Sequence, residues 1–231
     1  PLPPRARHRQ QVVVQHEDPQ ECLALAEALL DPLVAAAADH AVVQVRLRRV
    51  DRDEFAGATG QGTIFGIVDT GIDFRHGDFI DDVTGQSRIL YLWDQTLDAG
   101  ADGAPPGTVA GVTFDYGVEC RQSQLGKNGS CRSRDALGHG THVAGIAAGD
   151  GSGARSGAAP RYDYVGVAPE ADIIAVKTDF FATSIAEGVA YVFARADQLG
   201  RPAVVNLSLG SQFGPHDGTD VLSLMMDELS G

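Results

Sequence analysis

The sequence predicts an α/β fold, a parallel β-sheet with helices on both faces. Two observations carry that prediction. Short, continuous apolar runs at 63–68 (TIFGIV), 171–176 (ADIIAV) and Ala203–Leu207 (AVVNL) read as strands buried on both faces, which is the pattern of parallel sheets. Segments of helical spacing lie between them, and strands alternating with helices call for parallel crossovers. Apolar residues make up 43% and charged residues 21% of the 231 positions, enough to bury a core in a globular domain. No run approaches the roughly 20 apolar residues of a membrane helix.

In chain order, residues 11–14 (QVVV) and 41–47 (AVVQVRL) read as short strands, and the Ala- and Leu-rich stretch 19–38 between them reads as a helix. Charges cancel over residues 1–52, so the whole net charge of −13 lies after them. A small N-terminal α/β lobe is therefore expected over 1–55, a remnant of a pro-domain, followed by the main domain over 56–231. The Gly-rich, polar stretch 83–137 reads as a surface excursion with a few strands. Residues 140–148 form a helix of small side chains. Ile185, Val189, Val192, Phe193 and Ala196 give one helix an apolar face, as do Val221, Leu224, Met225 and Leu229 in another. The sheet is expected to be incomplete on its C-terminal side. Residues 203–207 then form an exposed edge that invites self-association.

The acidic body argues against nucleic acid as a partner, because phosphate repels it. Residues 1–11 lack the apolar core of a signal peptide; a secreted or cell-envelope location is compatible with the rest. Of the three cysteines, Cys120 and Cys131 bracket a polar stretch and are either a short loop disulfide or two free thiols.

Two segments carry chemistry. In Gly66-Ile67-Val68-Asp69-Thr70-Gly71-Ile72-Asp73, Asp69 ends a buried strand and Gly71 permits a sharp turn. Parallel sheets gather their chemistry at the carboxyl ends of strands, although an Asp at such a turn is also a common structural feature. In Gly138-His139-Gly140-Thr141-His142-Val143-Ala144-Gly145, His139 opens a helix between two glycines. A metal reading of His139 and His142 with Asp135 nearby lacks the Glu usual on catalytic zinc helices.

Together these segments resemble the subtilisin-like serine proteases. D-T-G-I-D is similar to the family's Asp motif and H-G-T-H-V-A-G to its His motif. Asn206-Leu207-Ser208-Leu209-Gly210 is similar to the strand lining its substrate cleft, and the three occur in the family's order. The resemblance covers about residues 60–231 and is strongest to a subclass that includes clostridial germination proteases. It implies His139 as general base and Asp69 as the residue that orients it and stabilises the imidazolium. Ser208, Leu209 and Gly210 would present backbone to an extended peptide. No cofactor is required for this chemistry. Asp78 corresponds to a calcium ligand of some relatives, although a solvated loop Asp is the favoured reading.

The chain also departs from the family. Neither the G-T-S-x-A motif that carries the nucleophile nor the A-A-G-N motif of the oxyanion Asn occurs in it. Ala182-Thr183-Ser184-Ile185-Ala186 lacks the leading Gly, and Ser184 with Glu187 reads as a capping box rather than a nucleophile. After Lys177 the usual Gly-rich stretch is short and carries Phe180 and Phe181. The expectation is a serine endopeptidase of which only Asp69 and His139 lie in this chain, inactive by itself. The alternatives are a non-catalytic pseudoprotease or peptide-binding regulator, and a metal-dependent hydrolase.

Overall fold

Alternation within the apolar runs decides the layering. The computed structural model describes residues 10–14, 48–51, 54–56, 58–100, 103–153, 161–210, 215 and 217–230. Its strands are β1 (Gln10–Val14), β2 (Arg48–Asp51), β3 (Glu54–Ala56), β4 (Ile64–Asp69), β5 (Ile89–Asp94), β6 (Gly107–Val109), β7 (Val112–Phe114), β8 (Val118–Arg121), β9 (Asp172–Lys177) and β10 (Ala203–Leu207). Among the described residues three α-helices follow the same order: α1 (His139–Ala148), α2 (Ala182–Leu199) and α3 (Val221–Ser230). The main sheet runs β1-β10-β4-β9-β5-β8, parallel except for β8. This is the expected fold class.

Successive strand residues point to opposite faces. Phe65, Ile67, Ile173 and Ala175 join the core beneath α1, whereas Ile64, Val68, Ile174 and Val176 join the core beneath α2. Each fully buried Val, Ile or Phe among them contributes about 1.5–3 kcal/mol. Close approach of α2 depends on Gly66, where a Cβ would meet Val192 Cγ1 at 2.5 Å. The far end of α1 is closed by the buried Arg88, which donates to the carbonyl oxygens of Ala148, Asp78 and Ala171.

Three expectations need correcting. The stretch 83–137 is not only surface excursion: it supplies β5, which lies between β9 and β8, and Trp93, which is fully buried. The polar flanks hide the run Ile-Leu-Tyr-Leu-Trp. Trp93 stacks edge-on against Phe114 and Tyr116, and the indole donates to the Tyr116 carbonyl. The edge at β10 is not open either: β1 pairs with it in parallel from Gln10–Ala203 to Val14–Leu207, as its β-branched sequence favours. The strand expected at 11–14 thus lies in the main sheet. The helix expected at 19–38 and the strand at 41–47 lie outside the described residues. Finally, Ser184 does not cap α2, because the helix starts earlier, with Phe181 at the N-cap. Glu187 instead accepts the Tyr116 hydroxyl at 2.5 Å.

Cys120 and Cys131 are joined in a disulfide that ties β8 to the loop leading towards α1. Both are buried, and the closed loop is short, with a sequence separation of 11. Its reduction should therefore lower stability by about 3 kcal/mol. Thermal unfolding with and without reductant measures this, and an unchanged midpoint would contradict it. Among the described residues no helix is long and apolar enough to cross a membrane.

Candidate active site

Asp69 is the last residue of β4 and is wholly buried. The chain turns immediately after it through Gly71, whose φ of +116° disfavours any side chain. Asp69 Oδ1 accepts the backbone N–H of Thr70 at 2.6 Å. Oδ2 is buried and has no partner among the described residues.

His139 opens α1 directly above this turn, preceded by Gly138 in the left-handed region. Its Nδ1 lies 2.7 Å from Asp69 Oδ1. A carboxylate only accepts, so Nδ1 carries the proton and Nε2 the lone pair. The imidazole is half exposed while Asp69 is sealed beneath it, so the basic nitrogen can meet an incoming group. Gly140 makes the approach possible: a Cβ there would stand 2.1 Å from the Gly71 carbonyl oxygen and 3.1 Å from Asp69 Cβ. Gly140→Ala should force α1 off the turn, lengthen the His139–Asp69 contact, and cost about 1–3 kcal/mol of stability from overpacking. A crystal structure and a denaturant melt of the variant check both effects; an unmoved helix start with an unchanged midpoint would refute the expectation.

A second carboxylate organises the surroundings. Asp135 Oδ1 accepts Thr70 Oγ1–H at 2.8 Å and Gly138 N–H at 2.9 Å. Oδ2 accepts Thr141 N–H at 2.8 Å and Thr141 Oγ1–H at 2.6 Å. Burial works to raise the Asp135 carboxyl, but the bonds from Thr141, Thr70 and Gly138 outweigh it and hold it below the usual carboxylate range. A carboxyl depressed in the folded state contributes stability at pH above its unfolded value of about 3.9, and the contribution is lost as pH falls through the folded value. The stability difference between the wild type and Asp135→Asn should therefore shrink below about pH 4. Denaturant melts across that range measure it; a pH-independent difference would contradict the assignment.

Ser208, Leu209 and Gly210 leave the carboxyl end of β10, the neighbour of β4, so they lie at the same edge of the sheet as Asp69. Asn206, fully buried in β10, donates to Ser208 Oγ at 2.9 Å. Ser184 is buried in the first turn of α2, which packs on the face opposite α1. Asp78 Oδ1 accepts Gly153 N–H at 2.7 Å, and its backbone carbonyl accepts Arg88 at 2.9 Å. Among the described residues no group of three or more His, Cys, Asp or Glu side chains could hold a metal ion. Thr70, Thr141 and the full role of Asp135 were not legible as site residues, because their contacts run through hydroxyl and backbone N–H groups that meet only in the folded chain. The signal that could have flagged them is the hydroxyl next to each motif residue and a carboxylate just ahead of the helix.

Comparison with known proteins gives the family. The model of the Subtilase family matches residues 60–229. The chain is 31% identical over 163 residues to the "Subtilisin-like protease PopC" of Myxococcus xanthus, a match covering 70% of the chain and 27% of that protein. It is 38% identical over 101 residues to "Subtilisin" of a Bacillus species, covering 40% of the chain and 22% of that protein. Among solved structures, the CspB protease of Clostridium perfringens superposes with a TM-score of 0.58 and 27% identity, covering 74% of this chain and 34% of that one. The chain thus spans about a quarter to a third of the length of these relatives.

Proposed function

The chain belongs to the subtilase family, and from that premise we propose that it supplies the base and orienting carboxylate of a serine endopeptidase. The observation that carries this reading is the 2.7 Å contact of His139 Nδ1 with the buried Asp69 at the carboxyl edge of the sheet. His139 Nε2 takes the proton of a serine hydroxyl as that oxygen attacks the peptide carbonyl. It then returns the proton to the leaving amine. Asp69 fixes the tautomer and stabilises the imidazolium between those steps. The G-T-S-x-A and A-A-G-N motifs do not occur in the 231 residues, so this reading requires the serine and its oxyanion donors to be supplied to His139 from elsewhere.

The substrate in this reading is an extended peptide. Ser208, Leu209 and Gly210 offer backbone groups at the sheet edge, and pairing of main chain with main chain is independent of sequence. Side-chain preference would then come from exposed apolar residues nearby in the fold. Phe180 and Phe181, just beyond the carboxyl end of β9, are 46% and 70% exposed.

The test uses two proteins, this chain and a version extended beyond Gly231. Each is incubated with a fluorogenic peptide and with a fluorophosphonate, which labels an activated serine. Turnover and labelling in the extended protein, with neither in the 231-residue chain, is the expected result. An extended protein that carries a serine in a G-T-S-x-A motif, folds, and neither labels nor hydrolyses would overturn the proposal.

A further inference from the structure

We propose that Asp135 is a positioning residue, holding His139 against Asp69 by tying the turn after β4 and the first turn of α1 to one carboxylate. The inference deepens the reading of His139 as a base and rests on it for its significance, though not for its geometry.

The start of a helix leaves backbone N–H groups without partners, and here the N-cap is Gly138, which has no side chain to offer them. The donors are satisfied from elsewhere. Gly138 N–H and Thr141 N–H go to the two oxygens of Asp135, and Gly140 N–H goes to Thr70 Oγ1 at 2.9 Å. Thr70 is the neighbour of Asp69, and its hydroxyl donates a hydrogen bond to Asp135. On the other side, Thr141 Oγ1 donates to Asp135 and accepts Asp73 N–H at 2.8 Å. Groups on both sides of His139, and Thr70 ahead of the Gly71 turn, therefore converge directly on one side chain, and Asp73 beyond the turn joins them through Thr141. A displacement of α1 along the turn breaks several charge-assisted hydrogen bonds at once.

Asp135 is itself anchored. Cys131 is tied to β8 by the disulfide, Ser133 Oγ donates to the buried Asp94 at the end of β5, and Lys177 at the end of β9 donates to the Arg134 carbonyl. The strap that carries the carboxylate is thus pinned to β8, β5 and β9 before it reaches α1. Every bond to Asp135 is donated to it, so an isosteric amide would turn an NH₂ group towards N–H and O–H donors.

The experiment reads the His139 Nδ1–H proton directly by NMR in ¹⁵N-histidine-labelled 231-residue chain. In the wild type that proton, held by Asp69, should exchange slowly with water. Asp135→Asn should speed its exchange at least about tenfold, the scale of one lost hydrogen bond to a charged group. Near-UV circular dichroism of the buried Trp93 cluster reports that the core is intact. Thr70→Val and Thr141→Val each remove one hydroxyl arm and should produce smaller accelerations, and they carry the test if Asp135→Asn does not fold. A folded Asp135→Asn that melts earlier but keeps the wild-type exchange rate overturns the proposal, as do wild-type rates in both threonine variants. The readout needs no turnover. If the extended protein ignores peptides while Asp135→Asn still releases the proton, the protease reading falls and the positioning role stands.

Discussion

Replacing His139 with alanine in the extended protein should lower kcat for peptide hydrolysis by about 10⁶, the magnitude found when the corresponding histidine is removed from subtilisin. The size follows from the division of labour in the site. Asp69 is sealed from solvent and reaches the reacting groups only through the imidazole. Without His139 no other described side chain stands between that carboxylate and an incoming serine, so base, acid and orienting functions are lost together. Asp69→Asn should be milder, about 10⁴, because the imidazole remains but Nδ1 must then accept rather than donate and the tautomer is reversed. The double variant should fall little further than His139→Ala alone, since residues acting as a unit are not additive. Initial rates with a fluorogenic peptide measure all three. A His139→Ala enzyme retaining more than about one hundredth of wild-type kcat, far above that expectation, would remove His139 from the chemistry.

What was legible in the sequence follows from how each feature is encoded. β4, β9 and β10 announce themselves because a strand buried on both faces needs an unbroken apolar run. β5 is largely buried too, but it sits between a loop rich in Asp and Gly and a second such loop, and the aromatic cluster around its Trp93 forms with Phe114, Tyr116 and Tyr191 from distant positions. The placement of β1 beside β10 was not legible either, since parallel pairing across most of the chain leaves no local trace. Asp69 and His139 could be read because the close approach of strand turn and helix start demands glycines at 71 and 140. Asp135 could not, because its partners are chiefly hydroxyl and amide protons whose positions exist only once the fold has formed. For Ser184 local pattern misled: the S-x-x-E pattern is present, but Tyr116 claims Glu187 and the helix begins earlier.

Removing the carboxylate of Glu119 should destabilise the protein by about 3–5 kcal/mol, the cost of leaving a buried charge without its partner. Glu119 lies on β8, the antiparallel edge strand, with a side chain 4% exposed, and it pairs with Arg195 of α2, whose side chain is 5% exposed. Tyr191, also on α2, donates its hydroxyl to the same Glu119 oxygen at 2.8 Å. The phenol is held neutral, first by burial and then by the charge of Glu119. Arg195 stacks 4.4 Å from the Tyr91 ring centre and donates to Gln198, yet its Nε finds no partner among the described residues. Glu119→Leu therefore leaves a buried guanidinium among aromatic rings, with Gln198 as its remaining side-chain acceptor. Arg195→Met alone should also be costly, because it leaves the Glu119 carboxylate buried with the Tyr191 hydroxyl and the peripheral Arg121 as its remaining side-chain donors. Combining Glu119→Leu with Arg195→Met removes both charges and should recover most of the loss, since well-packed apolar replacements of a buried pair are often neutral or better. Urea melts of the two single variants and the double variant test the cycle. Strictly additive losses would show that the two side chains act separately and that the pair does not join β8 to α2.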